Sequence, residues 1–201
     1  MASSGACYDL SERIDFFYDP RCPWAWRTSK WVRELERMGI VSVEWRFFSL
    51  GVVNDGSEDA MDDVEDAGAA SLRVLALVKS TLGNQKSGDL YEAMGERSHE
   101  VPRRLTNRIV REAIGAQGLQ ADLMEAAFAE DQTKKDVLQD HRAAVDGVGA
   151  FGVPTLVLES GKGIFGPVID GDGGGDAGEL WTHVRWLIEN AGFYELKRER
   201  D

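Results

Sequence analysis

Hydrophobic and polar positions follow two different periods in the first fifty residues. Apart from Asp15, residues 14–18 are β-branched or aromatic, which predicts a first β-strand. Over residues 22–39 apolar side chains recur at spacings of seven, four and three, at Trp24, Trp31, Leu35 and Met38. This spacing predicts an amphipathic helix that stops at a glycine. Hydrophobic and polar residues then alternate over residues 41–47, as they do in a half-buried strand.

The middle of the chain has a helical pattern instead. From residue 53 to residue 147 the composition favours helices, and the period of two is nearly absent. Apolar stripes with helical spacing include Val74, Leu75, Val78 and Leu82, then Leu105, Ile109, Val110 and Ile114, then Leu138, His141, Val145 and Val148. The sequence therefore predicts an all-helical insertion over residues 53–147.

Strand patterns return after this insertion. Residues 153–158 and 163–168 predict two strands joined by a glycine-containing turn. Asp176, with Glu179 three residues later, predicts the start of a last helix. Without the insertion, residues 11–52 and 148–201 read strand-helix-strand and then strand-strand-helix. That is the thioredoxin order, so we predict an α/β chain with a thioredoxin-like domain interrupted by a helical lobe.

Charge and composition narrow the range of partners. The 201 residues contain 23 Lys and Arg against 35 Asp and Glu, a net charge of −12. This balance argues against a nucleic-acid backbone or an anionic membrane as partner. No basic segment followed by an apolar run opens the chain, and no stretch approaches the roughly 18 apolar residues of a membrane span. We therefore expect a cytoplasmic protein, and exposed aromatic residues near the end are compatible with a homodimer.

Two cysteines are too few for a disulfide framework. Cys7 falls in residues 1–10, which we predict to be a flexible tail. Neither cysteine has the spacing of a metal site with any of the three histidines, so no metal is expected. His141 lies on an apolar stripe and is predicted to be a core histidine, whereas His99 and His183 have no evident partner.

Cys22 is the candidate nucleophile. Pro23 follows it and favours the first position of a helix, which places the sulfur beside unpaired amides at the positive end of the helix dipole. Such a setting can lower a thiol pKa from about 8.5 to roughly 3.5–7.5. The alternative is a small buried cysteine with no chemical role.

Several segments in order resemble one known family. They are Phe17-Tyr18-Asp19-Pro20 before Cys22-Pro23-Trp24, then Gly152-Val153-Pro154-Thr155, then Phe165-Gly166-Pro167-Val168, and the ending Phe193-Tyr194-Glu195-Leu196-Lys197-Arg198. Together they resemble the DsbA-like thioredoxin-fold proteins, and within them the mycothiol-dependent nitroreductase branch of actinobacteria, over roughly residues 12–198. The resemblance implies a thiol-disulfide oxidoreductase without a tightly bound cofactor. Its implied co-substrate is a low-molecular-weight thiol such as mycothiol, and its implied substrate is a small molecule or a disulfide.

The chain departs from that branch at one position. The branch has Cys-Pro-Trp-Cys, but Ala25 stands where the second cysteine would be. A two-cysteine enzyme clears its mixed disulfide by attack from the second sulfur, and alanine cannot do this. We therefore predict a one-cysteine cycle in which a thiol from solution clears Cys22. Cys7 is an alternative resolving thiol or a surface bystander.

The resemblance also gives a role to Pro154. It implies a cis peptide bond opposite Cys22, with the backbone of Val153 offered to the substrate; from the residues alone, Pro154 would only begin a strand. The predicted substrate-binding residues are Pro23, Trp24, Ala25, Asn54, Val153, Pro154 and Thr155.

Several of these side chains have simpler interpretations. Trp24 and Trp26 could stack on a flat ligand or belong to the core. Asn54 could bind a polar ligand or only form a turn. Four arginines of the insertion, Arg103, Arg104, Arg108 and Arg111, are predicted to be solvated or paired within the lobe, although Arg108 could contact an anionic substrate.

Two other functions remain compatible with the sequence. One is a transferase or isomerase similar to the kappa-class glutathione transferases, which polarises a bound thiol without forming a disulfide. The other is a non-catalytic module that binds a thiol or another ligand at a site without its second cysteine.

Overall fold

The computed structural model describes residues 11–100, 103–169, 175–190, 192–195 and 197. Their strands form one four-stranded sheet, in the order β2-β1-β3-β4. The strands are β1 Glu12–Tyr18, β2 Val41–Phe47, β3 Thr155–Leu158 and β4 Gly163–Phe165. β1 is parallel to β2 and antiparallel to β3, and β4 pairs antiparallel with β3.

The helices are α1 Pro23–Arg37, α2 Leu50–Asp55, α3 Ala67–Leu82, α4 Asn84–Ser98, α5 Asn107–Ala116, α6 Leu123–Ala129, α7 Asp131–Val148 and α8 Ala177–Glu189, with a 3₁₀ turn at Glu58–Met61. Helices α2–α7 lie between β2 and β3 in the sequence and form the helical lobe. Helices α1 and α8 belong with the sheet. None of the helices in the described residues is both long and apolar enough to cross a membrane.

The central position of β1 in the sheet explains its three successive aromatic residues, Phe16, Phe17 and Tyr18. Phe16 pairs with Trp45 of β2 on one side and Leu156 of β3 on the other, and both Phe16 and Phe17 are buried. A strand covered on both faces needs apolar residues at successive positions. β2 has the predicted alternation of buried and partly exposed residues.

Helix α1 packs on α8 under the sheet. Trp31 is fully buried, its ring centroid lies 6.0 Å from that of Trp181, and its indole N–H donates to the Ala177 carbonyl at 3.2 Å. Gly39 ends the α1 turn with φ +71°, a conformation that favours glycine. Asp176 caps α8 by accepting from the amides of Gly178 and Glu179 at 2.8 and 3.0 Å.

The helical lobe is built around α3, which contacts α4, α5, α6 and α7. Tyr91 of α4 connects the core of the lobe with that of the sheet, because its ring stacks on the ring of Tyr18 in β1 with centroids 4.0 Å apart. One continuous hydrophobic core therefore joins the lobe to the sheet.

Two predicted strand boundaries were wrong by a few residues. The strand predicted over residues 153–158 begins at Thr155, and the one predicted over 163–168 ends at Phe165. In both places a proline, Pro154 or Pro167, lacks the N–H that a strand ladder needs. The first helix after β2 begins at Leu50. The division into residues 11–52 with 148–201 and residues 53–147 stays a prediction.

Candidate active site

The sulfur of Cys22 lies at the N-terminus of α1. Cys22 is the N-cap residue, and its Sγ accepts from the amide of Ala25 at 3.4 Å. The site is tight, because the residue is only 7% exposed. Pro23 occupies the first turn, as its fixed φ and missing N–H favour. The predicted strand-cysteine-helix arrangement is therefore present.

A second segment, 131 residues later, meets this sulfur. The Cys22 thiol donates to the Val153 carbonyl at 3.4 Å. The Val153-Pro154 peptide bond is cis, as the resemblance implies. Thr155 is buried and its hydroxyl donates to the Gly152 carbonyl at 2.8 Å. Beyond Pro154, the Gly166 amide donates to the Pro154 carbonyl at 2.7 Å and ties this loop to β4.

The two contacts of Sγ favour opposite protonation states. A donated N–H from Ala25 stabilises a thiolate, whereas the Val153 carbonyl can only accept a proton from the neutral thiol. Loss of that proton breaks the contact with Val153 and leaves the contact with the Ala25 amide in place. The arrangement thus suits a sulfur that is released from Val153 when it becomes a nucleophile.

A buried carboxylate supports the turn that carries Cys22. Asp19 is fully buried; its Oδ1 accepts from the Arg21 amide at 2.8 Å and its Oδ2 from the Leu50 amide at 2.8 Å. The Asp19 carbonyl also accepts from the Cys22 amide at 2.9 Å. Sequence reasoning missed Asp19, because an aspartate before a proline reads as the end of a strand.

Arg21 connects the same turn to the helical lobe. Its guanidinium lies 3.4 Å from Asp19 and 3.3 Å from Asp66, the N-cap residue of α3. Burial lowers the pKa of Arg21, but the two carboxylates outweigh burial and the pKa is raised. The guanidinium passes Gly68 so closely that a Cβ there would lie 2.3 Å from its Nε.

The two tryptophans near Cys22 have different environments. Trp24 is half-buried, with the Arg27 guanidinium 4.9 Å from its ring centroid. Trp26 is buried, and its indole N–H donates to Glu100 at 2.9 Å. The hypothesis that Trp26 stacks on a ligand is therefore wrong: its ring is enclosed by the core, whereas Trp24 retains an exposed part.

The remaining predicted residues are distributed around this centre. Pro23 is exposed beside the sulfur and Ala25 is fully buried below it. Asn54 is exposed on α2, and its side chain makes no hydrogen bond to any described residue. Helix α2 starts beside the Cys22 turn, because the Leu50 amide binds Asp19. Binding roles for Pro23, Trp24, Ala25, Asn54, Val153, Pro154 and Thr155 stay predictions.

A groove of about 530 Å³ opens next to the Cys22 turn. It is lined by Arg21, Pro23, Ser98, His99, Arg103, Arg104 and Leu105. His99 is fixed there by a 2.9 Å hydrogen bond between its Nε2 and the Pro20 carbonyl, and burial lowers its pKa. Sequence reasoning found no partner for His99, because Pro20 is 79 residues away.

His141 is a core residue and does not line the groove beside Cys22. It is buried, its Nδ1 accepts from the Ser49 amide at 3.3 Å, and its ring centroid lies 4.6 Å from that of Phe48. Burial lowers its pKa. The prediction of a core histidine is confirmed. Among the described residues, no cluster of three His, Cys, Asp or Glu side chains could hold a metal ion.

Cys22 is the one free cysteine that the structure describes. Cys7 and the predicted tail of residues 1–10 lie outside the described residues. The role of Cys7 as a resolving thiol stays a prediction.

Comparisons with known proteins agree with this geometry. The family model described as Rv2466c-like, mycothiol-dependent nitroreductase Rv2466c, matches residues 21–198. An uncharacterized protein of Mycobacterium tuberculosis, Rv2286c, is 33% identical over 192 residues, which cover 93% of this chain and 82% of that protein.

Solved structures resemble the chain over most of its length. A probable DsbA oxidoreductase from Streptomyces coelicolor has a TM-score of 0.59 and 20% identity and covers 94% of both chains. A thioredoxin-like oxidoreductase from Silicibacter pomeroyi has a TM-score of 0.56 and 16% identity, over 91% of this chain and 90% of that one. These likenesses confirm the predicted α/β thioredoxin-like fold with a DsbA-like helical insertion.

Proposed function

Because the chain belongs to the Rv2466c-like family of mycothiol-dependent nitroreductases and is an oxidoreductase, we propose that it works with one cysteine, Cys22, and a low-molecular-weight thiol such as mycothiol. One observation carries the proposal. The Cys22 sulfur lies at a helix N-terminus and against the Val153 carbonyl, while Ala25 occupies the position of a resolving cysteine.

The first proposed step loads Cys22. Its thiolate attacks one sulfur of a disulfide substrate, a new sulfur-sulfur bond forms, and the substrate bond breaks. The departing sulfur leaves as a thiolate that takes up a proton from solvent. Cys22 is oxidised to a mixed disulfide and the departing half of the substrate is reduced.

The second proposed step clears Cys22. A thiolate of the small co-substrate attacks the mixed disulfide, binds the substrate sulfur and releases Cys22 as a thiolate. Over both steps one thiol and one disulfide become a different thiol and a different disulfide, so electrons and atoms balance. The Ala25 amide favours Cys22 as leaving group, because it donates to the developing negative charge.

Intact mass spectrometry tests the proposal. The protein is incubated with the disulfide of the small thiol and then with the free thiol, as wild type and as Cys22→Ser and Cys7→Ser variants. We expect one adduct in wild type and in Cys7→Ser, removed by free thiol, and no adduct in Cys22→Ser. Turnover should follow the adduct, with at least about a hundredfold loss in Cys22→Ser, as for other acid-base or nucleophilic groups.

The alternatives give other results. Turnover that survives Cys22→Ser favours a bound and polarised thiol, as in kappa-class glutathione transferases. Binding of the thiol without adduct or turnover favours a ligand-binding module. Loss of clearance in Cys7→Ser assigns the second step to Cys7.

Location and assembly are separate proposals. A cytoplasmic site of action would supply the reduced small thiol that this cycle consumes. Trp186 and Tyr194, which are 63% and 88% exposed, offer apolar surface for a homodimer.

A further inference from the structure

The groove beside Cys22 is positive in a chain with a net charge of −12. Three of its lining residues are arginines. The charge of Arg21 is balanced by Asp19 and Asp66. His99 donates its Nε2 proton to Pro20, and burial favours its neutral form. The positive charge of the groove therefore comes from Arg103 and Arg104.

These two guanidiniums are exposed and form no ion pair or hydrogen bond with any residue that the structure describes. Other exposed arginines do find carboxylates. Arg108 lies 2.8 Å from Glu112, Arg111 lies 2.7 Å from Glu125, and Arg185 lies 2.6 Å from Glu12. In a chain so rich in carboxylates, two adjacent unpaired arginines leave their forked donors open to a ligand.

The position of the groove links these donors to the reaction. Arg21 and Pro23, the residues on either side of Cys22, both line it. Leu105 adds an apolar surface to the same wall. A small molecule in the groove therefore lies against both chain neighbours of the nucleophile.

We propose that the substrate that reacts with Cys22 is a small molecule with an anionic oxygen group, a carboxylate or a phosphate, bound by Arg103 and Arg104. This inference rests on the proposed function. The guanidiniums hold the anionic end, and the reactive end faces the Cys22 turn. The negative surface elsewhere repels the same molecule, so the field directs it to the groove.

Charged and neutral disulfides test this directly, without the natural substrate. The probes are 5,5′-dithiobis(2-nitrobenzoate), which carries two carboxylates, and neutral 4,4′-dithiodipyridine. With either probe the Cys22 thiolate displaces one aromatic thiolate and keeps the other half as a mixed disulfide, so the released chromophore gives the rate. All proteins carry Cys7→Ser, so that Cys22 is the reacting thiol.

The test compares two double variants with the same change in net charge. Arg103→Gln with Arg104→Gln should lower the rate of Cys22 with the anionic probe by about tenfold or more relative to its rate with the neutral probe. Arg111→Gln with Arg185→Gln removes two charges away from the groove and should leave the ratio within about twofold of the parent. High salt should lower the ratio in the parent and in this control, but not in the groove variant.

Competing ions identify the anionic group. Protection of Cys22 from the anionic probe by benzoate indicates a carboxylate substrate, and stronger protection by inorganic phosphate indicates a phosphate. The neutral probe serves as the check on folding, because its rate should be unchanged in both double variants.

Two results would overturn the inference. One is that the ratio of the anionic-probe rate to the neutral-probe rate is the same in the two double variants. The other is protection by neither ion. In both cases Cys22 would still react with the neutral probe, and the proposed function would stand. A Cys22 that reacts with neither probe would overturn the proposed function and this inference together.

Discussion

At residue 25 the chain carries a methyl group where a two-cysteine redox site carries its second sulfur. Ala25 is fully buried, and its amide donates to the Cys22 sulfur at 3.4 Å. The backbone at this position is therefore already in contact with the nucleophile. What the site lacks is one side-chain atom.

Adding that atom should change the products of the reaction. In Ala25→Cys we expect oxidation to join the introduced sulfur to Cys22, because both lie in one helical turn and proximity favours the intramolecular step. Intact mass should fall by two hydrogens, and the small-thiol adduct should no longer accumulate. Because position 25 is fully buried, the larger side chain should lower the free energy of unfolding by about 1–3 kcal/mol.

Ala25→Ser is the matched control for that experiment. The serine Oγ occupies nearly the same position as a cysteine Sγ but cannot form a disulfide. The small-thiol adduct on Cys22 should therefore still accumulate, and the change in unfolding free energy should report the packing cost alone. An adduct that accumulates equally in Ala25→Cys would show that the residue at position 25 cannot reach the sulfur.

Residue chemistry was predictable where the signal is local. Cys22 could be identified because Pro23 and the helix start are its immediate neighbours. Asp19 and Arg21 could not, because the partners that define their roles, Leu50 and Asp66, are 31 and 45 residues away. A buried carboxylate and a solvated one look the same in a sequence.

Among the elements, helix α4 shows how glycines shape the wall of the site. A Cβ at Gly95 would lie 2.1 Å from the Trp26 ring, and one at Gly88 would lie 2.6 Å from the Trp45 indole nitrogen. The two glycines let these rings pack directly on the helix backbone. The sequence did not single out α4, because glycines within a helix weaken its apolar pattern and give no sign of the rings that fill the space.

Gly95→Ala should therefore destabilise the protein, against the normal preference of helices for alanine. The added methyl group displaces the Trp26 ring, which we expect to cost about 1–3 kcal/mol of unfolding free energy in urea titrations. Because Trp26 follows the active turn, the rate of Cys22 with a neutral disulfide should change as well.

Gly115→Ala in α5 is the control for this experiment. No atom lies within 4 Å of a Cβ at that position, so the substitution should stabilise by up to about 1 kcal/mol. Equal effects at the two glycines would contradict the close packing of Trp26 on α4.

For the whole molecule, the order of elements was predictable and the packing between them was not. The strand patterns of β1–β4 and the helical patterns of α1 and α8 give the thioredoxin order once residues 53–147 are set aside. The seam between lobe and sheet depends on tertiary contacts such as Tyr91 on Tyr18. Neither tyrosine carries a local signal for that partner.

Two histidines, the half-buried His99 and the buried His141, make stability depend on pH. Burial lowers the pKa of His99 and of His141, so the unfolded chain takes up protons near pH 6.5 before the native protein does. The stability that neutral histidines provide is therefore complete above about pH 6.5 and is lost as pH falls below it. Urea unfolding between about pH 7.5 and about pH 5.5 should show this decline.

His141→Asn should reduce the decline. Asparagine keeps an acceptor for the Ser49 amide but does not titrate, so the slope should fall by at most about 1.4 kcal/mol per pH unit. Burial raises the pKa of Asp140, so at more acidic pH its protonation increases stability as the pH falls. The measurements therefore stay above about pH 5.5, where the histidines dominate. If the unfolding free energy of His141→Asn changes with pH as steeply as that of the wild type, the pH dependence comes from other groups.

If Cys22 works alone, as we propose, the protein should also act as a covalent trap for its substrates. In two-cysteine oxidoreductases a mixed disulfide persists when the resolving cysteine is absent. This chain has Ala25 at the position of that cysteine. Oxidised cell extract passed over immobilised protein should leave substrates bound through Cys22 until a small thiol elutes them. The eluted molecules would be the substrates themselves, each marked by the sulfur at which it reacted.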